Sequence, residues 1–133
     1  MLSREEILAK RDLPPVPVRV PEWGPGVYVR TLSGEQREEY ESALDKRRDA
    51  KGMLSFGTYR AMQVVYGVCN AEGVLVFTEA DIPQIIKQPV KTLMKISTKF
   101  SSVNGLTEAD VEALEKNSDT DGTASGGSVS PAS

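Results

Sequence analysis

Apolar and polar positions alternate along this chain with two different periods, and the period changes at punctuating prolines and glycines. Near the N-terminus Ser3 and Glu6 form a capping-box pattern, which predicts a short helix through Lys10. Pro14, Pro15 and Pro17 then exclude further helix. Val16, Val18 and Val20 alternate with Pro17 and Arg19, and Val27 and Val29 repeat the alternation. Two strands are therefore expected, with Trp23-Gly-Pro-Gly26 turning the chain between them. Prolines at 17 and 21 cannot donate to a ladder, which predicts an edge strand. The Pro14-x-x-Pro17 spacing also fits a polyproline ligand, but a guarded sheet edge accounts for it.

From Ser33 onwards the helical period dominates. Ser33 and Gln36 make a second capping box, and the helix predicted from Glu35 to about Asp49 carries a thin stripe of Tyr40, Ala43 and Leu44 flanked by Gln36 and Arg47. Its acids (Glu35, Glu38, Glu39, Glu41) come early and its bases (Lys46, Arg47, Arg48) late, as the helix dipole favours. Ala50 to Met53 reads as a flexible connection. Thr58 to Cys69 is apolar nearly all round, which marks a central core helix. Asn70-Ala-Glu-Gly73 turns the chain into a short strand at Val74 to Phe77. Thr78 with Asp81 opens another helix, which Pro89 interrupts.

Between Val90 and Asn104 the residues Val90, Leu93, Ile96, Phe100 and Val103 recur at steps of three and four. This narrow stripe has the spacing of a helix-packing seam. Lys91, Lys95 and Lys99 stand opposite it, and like charges four apart repel by roughly a few tenths of a kcal/mol per pair. Such a ridge is either a solvated face or a rim for an acidic partner. Asn104-Gly105 ends the helix, and Thr107 with Asp110 predicts a last one through Lys116. Residues 118–133 hold no aromatic and no base, the composition of a disordered tail. The expected architecture is α+β: a mainly helical small domain over 1–117 with an N-terminal two-stranded β-hairpin, then a disordered Gly/Ser-rich tail at 118–133.

Composition narrows the chemistry. The 133 residues, with a formal charge of -3, suit one soluble domain and argue against a nucleic-acid binder, which would be strongly basic. No apolar run approaches the roughly 20 residues that span a bilayer, and the acidic start at Met1-Leu-Ser-Arg-Glu-Glu is unlike a secretory signal. Neither membrane nor nucleic acid is an expected partner. Histidine is absent and Cys69 is the single cysteine, so Cys/His zinc sites and histidine-based triads are excluded. Cys69 lies in an apolar context and reads as a small hydrophobe.

Asn117-x-Asp119-x-Asp121-Gly122 opens like an EF-hand loop, yet Ser128 stands where the closing bidentate Glu belongs. No metal site is expected. The readily placed acids Glu6, Asp81 and Asp110 sit at helix starts, where capping explains them. No lysine stands in a desolvating context and no glycine loop follows a strand to cradle phosphate. The chain is expected not to be an enzyme and to need no cofactor.

The order of these segments resembles one family. Val20-Pro-Glu-Trp-Gly24 between the two strands, the helix opened by Thr31-Leu-Ser-Gly-Glu-Gln36, Arg4-Glu-Glu-Ile-Leu-Ala-Lys10, Leu75-Val-Phe-Thr-Glu-Ala-Asp-Ile82 and Val103-Asn-Gly-Leu-Thr-Glu-Ala-Asp-Val-Glu-Ala-Leu-Glu-Lys-Asn117 all look like the tail assembly chaperones of long-tailed, siphovirus-type bacteriophages. The resemblance implies a non-enzymatic chaperone that binds the aggregation-prone tape measure protein, holds it soluble and promotes polymerisation of the tail tube protein. It implies action in the host cytoplasm and absence from the mature virion. It also implies that this chain is the short form, and leaves room for self-association and for a frameshifted longer form. The alternative is a structural virion subunit, such as a tail-completion or head-tail connector protein. Candidate partner contacts are Trp23, the stripe residues Leu93, Ile96 and Phe100, and the ridge of Lys91, Lys95 and Lys99.

Overall fold

The computed structural model describes residues 1–10 and 13–106; the helix expected at 107–116, the tail and the Asp119/Asp121 pattern lie outside them. Local capping chemistry sets the start of most helices. In α1 (Arg4–Ala9) the Ser3 hydroxyl accepts the Glu6 N–H at 3.1 Å, and the Glu6 carboxylate accepts the Ser3 N–H at 2.8 Å. The same reciprocal pair, at 3.1 and 3.0 Å, links Ser33 and Gln36 at the start of α2 (Gly34–Lys46). Ser55 caps α3 (Phe56–Gly67). After a 3-10 turn at Glu79–Asp81 come α4 (Ile82–Ile85) and α5 (Val90–Val103), separated at Pro89. The last turn closes as a Schellman motif. Gly105 adopts a φ of 68°, its N–H reaches Ser102, and the Leu106 N–H reaches Ser101 at 2.8 Å.

The fold class matches expectation and the sheet is larger than expected. Three short antiparallel strands, β1 (Val16–Pro17), β2 (Tyr28–Val29) and β3 (Val68–Cys69), lie in the order β1-β2-β3, where the sequence predicted a two-stranded hairpin. β1 is the edge strand that Pro17 requires. Val68 and Cys69 do not extend the core helix. α3 stops at Gly67, and Val68 and Cys69 pair with Val29 and Tyr28. A β-branched apolar run satisfies both the buried-helix and the buried-strand pattern, so backbone partners in β2 decided the outcome. The segment Val74–Phe77 touches the sheet through one bridge, Cys69 to Leu75. Ala50–Met53 is likewise an ordered turn and not a flexible connection. The Asp49 carboxylate accepts the N–H groups of Lys51 and Met53, both at 2.9 Å, and these bonds lower its pKa.

α2, α3, α4 and α5 build the core together with the sheet, and α1 buries no residue. α3 supplies Ala61, Met62, Val64 and Val65, α5 supplies Leu93, Ile96 and Phe100, and Val20, Val29 and Val68 face them from the sheet side. α3 and α5 lie so close at Gly67 that an added Cβ would stand 2.5 Å from Phe100 Cδ1. α2 covers the core through Tyr40, Ala43 and Leu44; Tyr40 meets Phe100 edge-on with ring centroids 5.2 Å apart. Burial pushes the Tyr40 hydroxyl pKa up.

Two polar ties join distant segments. Asn104 Oδ1 accepts the Leu32 N–H at 2.7 Å and its Nδ2 donates to Arg30 O at 3.4 Å, binding the end of α5 to the β2–α2 connection. Arg30 itself donates from Nε to Tyr66 O at 2.7 Å, a cation at the C-terminal turn of α3. No helix among the described residues is long and apolar enough to cross a membrane.

Candidate partner-binding surface

Most of the predicted apolar seam is core. Leu93, Ile96 and Phe100 are 3%, 0% and 1% exposed, so the expectation that they meet a partner is overturned: α3 and the sheet already cover them. Val103 is half-buried, and of the five seam residues Val90 alone is exposed.

The Lys ridge is also divided. Lys95 donates to Glu22 at 2.9 and 3.1 Å, while Lys91 and Lys99 form no ion pair among the described residues. Glu22 accepts the buried Thr92 hydroxyl as well, at 2.7 Å. These bonds, from Lys95 foremost, hold the Glu22 carboxyl down at about 2. Glu22 therefore clasps the first turns of α5, where an anion also suits the helix dipole.

Trp23, the next residue, completes this clasp. Its ring lies 6.1 Å from that of Phe77, and its Nε1 donates to Gln88 Oε1 at 3.3 Å. The ring is half-buried against the core and borders an apolar cleft of about 470 Å³, which Val27, Val68, Val76, Phe77 and Ile85 line with Asp81, Gln84 and Gln88. Trp23 thus anchors the loop and still shows one flank to the cleft.

The structure leaves exposed a set of apolar residues that the periodicity did not single out. The Ser97 hydroxyl bonds Gln63 Oε1, and Phe100 packs on Gly67, so contacts advance in the same direction along α3 and α5. Gly57 lies 3.9 Å, as measured from an added Cβ, from Ile86 Cγ2, which draws the end of α4 to the start of α3. Four large apolar residues on these helices and at the end of α4 are left exposed: Phe56 (50%), Ile86 (42%), Val90 (54%) and Met94 (51%). Arg60 stacks over Phe56 at 5.8 Å, and Lys87 and Lys91 flank the group with no ion pair among the described residues. Val90 and Met94, four apart, were a readable signal; Phe56 and Ile86 belong to other segments.

Among the described residues no three His, Cys, Asp or Glu side chains converge to hold a metal ion. Glu79 accepts the Tyr66 hydroxyl at 2.8 Å and pairs with Arg47 at 3.1 Å. The Tyr66 bond lowers the Glu79 pKa, and burial with this acidic neighbour pushes Tyr66 up to about 12. That is a structural link between α2, α3 and the 3-10 turn. Cys69 is fully buried in β3, and burial raises its pKa, which disfavours the thiolate. Comparison of the chain with protein-family models, with curated proteins and with solved structures finds no match.

Proposed function

We propose that this chain is a tail assembly chaperone of a long-tailed bacteriophage in its short form. It binds the tape measure protein, keeps it soluble in the host cytoplasm while the tail tube protein polymerises around it, and leaves the finished particle. The ordered resemblance from Arg4 to Asn117 supports this reading. The observation that carries it to a surface is that Phe56, Ile86, Val90 and Met94 are exposed, and we place them in one apolar corner whose basic rim has no ion pair among the described residues. A holdase needs apolar surface left uncovered, and an apolar strip flanked by charge suits an amphipathic helix laid along it. The rim cations Arg60, Lys87 and Lys91 would chiefly speed encounter with an acidic flank of that helix.

Co-expression with the tape measure protein of the same phage tests the proposal. The wild-type chain should yield soluble complex, and Val90→Asp with Met94→Asp should abolish it while the variant stays folded. A tape measure protein that remains insoluble beside the wild-type chain, or this protein recovered stoichiometrically in mature virions, would replace the chaperone reading with that of a structural virion subunit.

A further inference from the structure

The sheet has two outer edges, and one is unguarded. Pro17 blocks the outer edge of β1. Beyond β3, the segment Val74–Phe77 is bonded on its inner side only: Asn70 N–H donates to Val74 O at 3.0 Å, and Val76 N–H to Val68 O at 3.2 Å. These bonds flank the Cys69–Leu75 bridge, the arrangement of a non-hydrogen-bonded antiparallel pair, so the Leu75 main chain points away from β3, as does that of Phe77 two residues on. Neither residue makes a backbone hydrogen bond among the described residues. Val74 and Val76 between them are 59% and 57% exposed, and the run contains no Pro, Lys or Gly. Beside this edge opens the cleft of about 470 Å³ against α4, with Val76 and Phe77 on its near wall and Ile85 on its far one.

We infer that the Val74–Phe77 edge and this cleft form one site for an extended basic-apolar peptide of a partner protein, added as a further antiparallel or parallel strand. Its backbone would bond Leu75 and Phe77, and an alternate apolar side chain would enter the cleft. Charge selects the occupant. The one ionisable carboxylate in the cleft lining is Asp81, and Glu72 is exposed just before the edge; neither forms an ion pair among the described residues. Basic residues flanking the apolar ones fit both. Residues 107–133 of the chain itself are a poor fit, since they carry Glu108, Asp110, Glu112, Glu115, Asp119 and Asp121 against Lys116. Antiparallel pairing of two such edges would bring Glu72 of one copy toward Glu79 of the other. The site depends neither on the chaperone reading nor on the corner at Phe56 and Met94.

The test uses the full chain, isotope-labelled for amide NMR, and four heptapeptides: alternating Lys and Val, alternating Glu and Val, and the Lys/Val peptide N-methylated at one or at the other alternate set of amides. The Lys/Val peptide should shift the Leu75 and Phe77 amides. N-methylation of the edge-facing set should weaken binding about tenfold or more, and of the other set little, since only the first removes main-chain bonds. Val76→Lys, at an exposed position, should leave the fold intact and weaken the Lys/Val peptide. Absence of any shift at millimolar peptide overturns the site, as does equal binding of the Glu/Val peptide or indifference to the methylated set. Leu75 and Phe77 amides already protected from exchange in the free chain would also overturn it, by showing the edge covered by the chain's own remaining residues or by a second copy.

Discussion

α5 presents apolar side chains to two different environments. Leu93, Ile96 and Phe100 are sealed between α3 and the sheet, while Val90 and Met94, equally apolar in type, are about half exposed. The two sets interleave in sequence, and a rotation of the helix by one residue would exchange Leu93 for Met94. What holds the rotation is the counterpart surface: the missing side chain of Gly67 leaves room for the Phe100 ring, and Thr92 is drawn inward to Glu22. The inner set stabilises the fold by roughly 1.5–3 kcal/mol per buried side chain, and the outer set is free to do something else.

Substitutions on the two sides should separate sharply. Phe100→Ala should cost about 3–5 kcal/mol in urea unfolding, because the ring fills a space bounded by Tyr40 and Gly67 that cannot collapse. A loss under about 1 kcal/mol would mean that the inner side is not core. Gly67→Ala should cost about 1–3 kcal/mol by overpacking the same contact. Phe100→Leu introduced with it should recover part of that loss, and simple additivity of the two changes would show that the contact is absent.

Trp23→Ala tests the clasp over the start of α5. A half-buried ring with a partner at each end should contribute about 2 kcal/mol, less than a fully buried indole. Fluorescence typical of a fully hydrated Trp23 would contradict this placement. Glu22→Gln addresses the same clasp through pH. The Glu22 pKa is depressed in the folded state, so its contribution is complete above the ordinary carboxylate value of 4.5 and is lost as pH falls from there toward about 2. Wild type should therefore lose more thermal stability than Glu22→Gln across that window, and parallel melting curves would rule the contribution out.

The smallest change in stability is expected on the outer side. Val90→Asp with Met94→Asp should shift unfolding by no more than about 0.5 kcal/mol per site, the usual range for surface positions. If this pair destabilises the fold as strongly as Phe100→Ala, the distinction between the two sides of α5 collapses.

Local chemistry made much of this legible in advance. Capping boxes at Ser3 and Ser33, the stop at Gly105 and the proline-guarded edge all depend on residues within a few positions of one another, so the sequence alone predicts them. The burial of Leu93, Ile96 and Phe100 is also implicit in their spacing, although reading them as a partner surface was wrong. The candidate site was much less legible. Of its apolar members Val90 alone stands in the predicted seam; Met94 lies four residues beyond it, and Phe56 and Ile86 complete no stripe on their own helices.

By itself, then, the sequence determined the starts of α1 and α2, the stop at Gly105 and the period of most segments, since these rest on short-range hydrogen bonding and backbone sterics. The tertiary structure alone decided that Val68 and Cys69 leave the helix for a third strand, because that choice depends on free main-chain partners 40 residues earlier, in Tyr28 and Val29. It alone decided that Lys95 of the three ridge lysines is neutralised, by a glutamate 73 residues away. It alone decided that Phe56, Ile86, Val90 and Met94 stay exposed while Leu93, Ile96 and Phe100 are sealed, because burial is a property of how many neighbours converge on a side chain and no residue carries that number in its own identity.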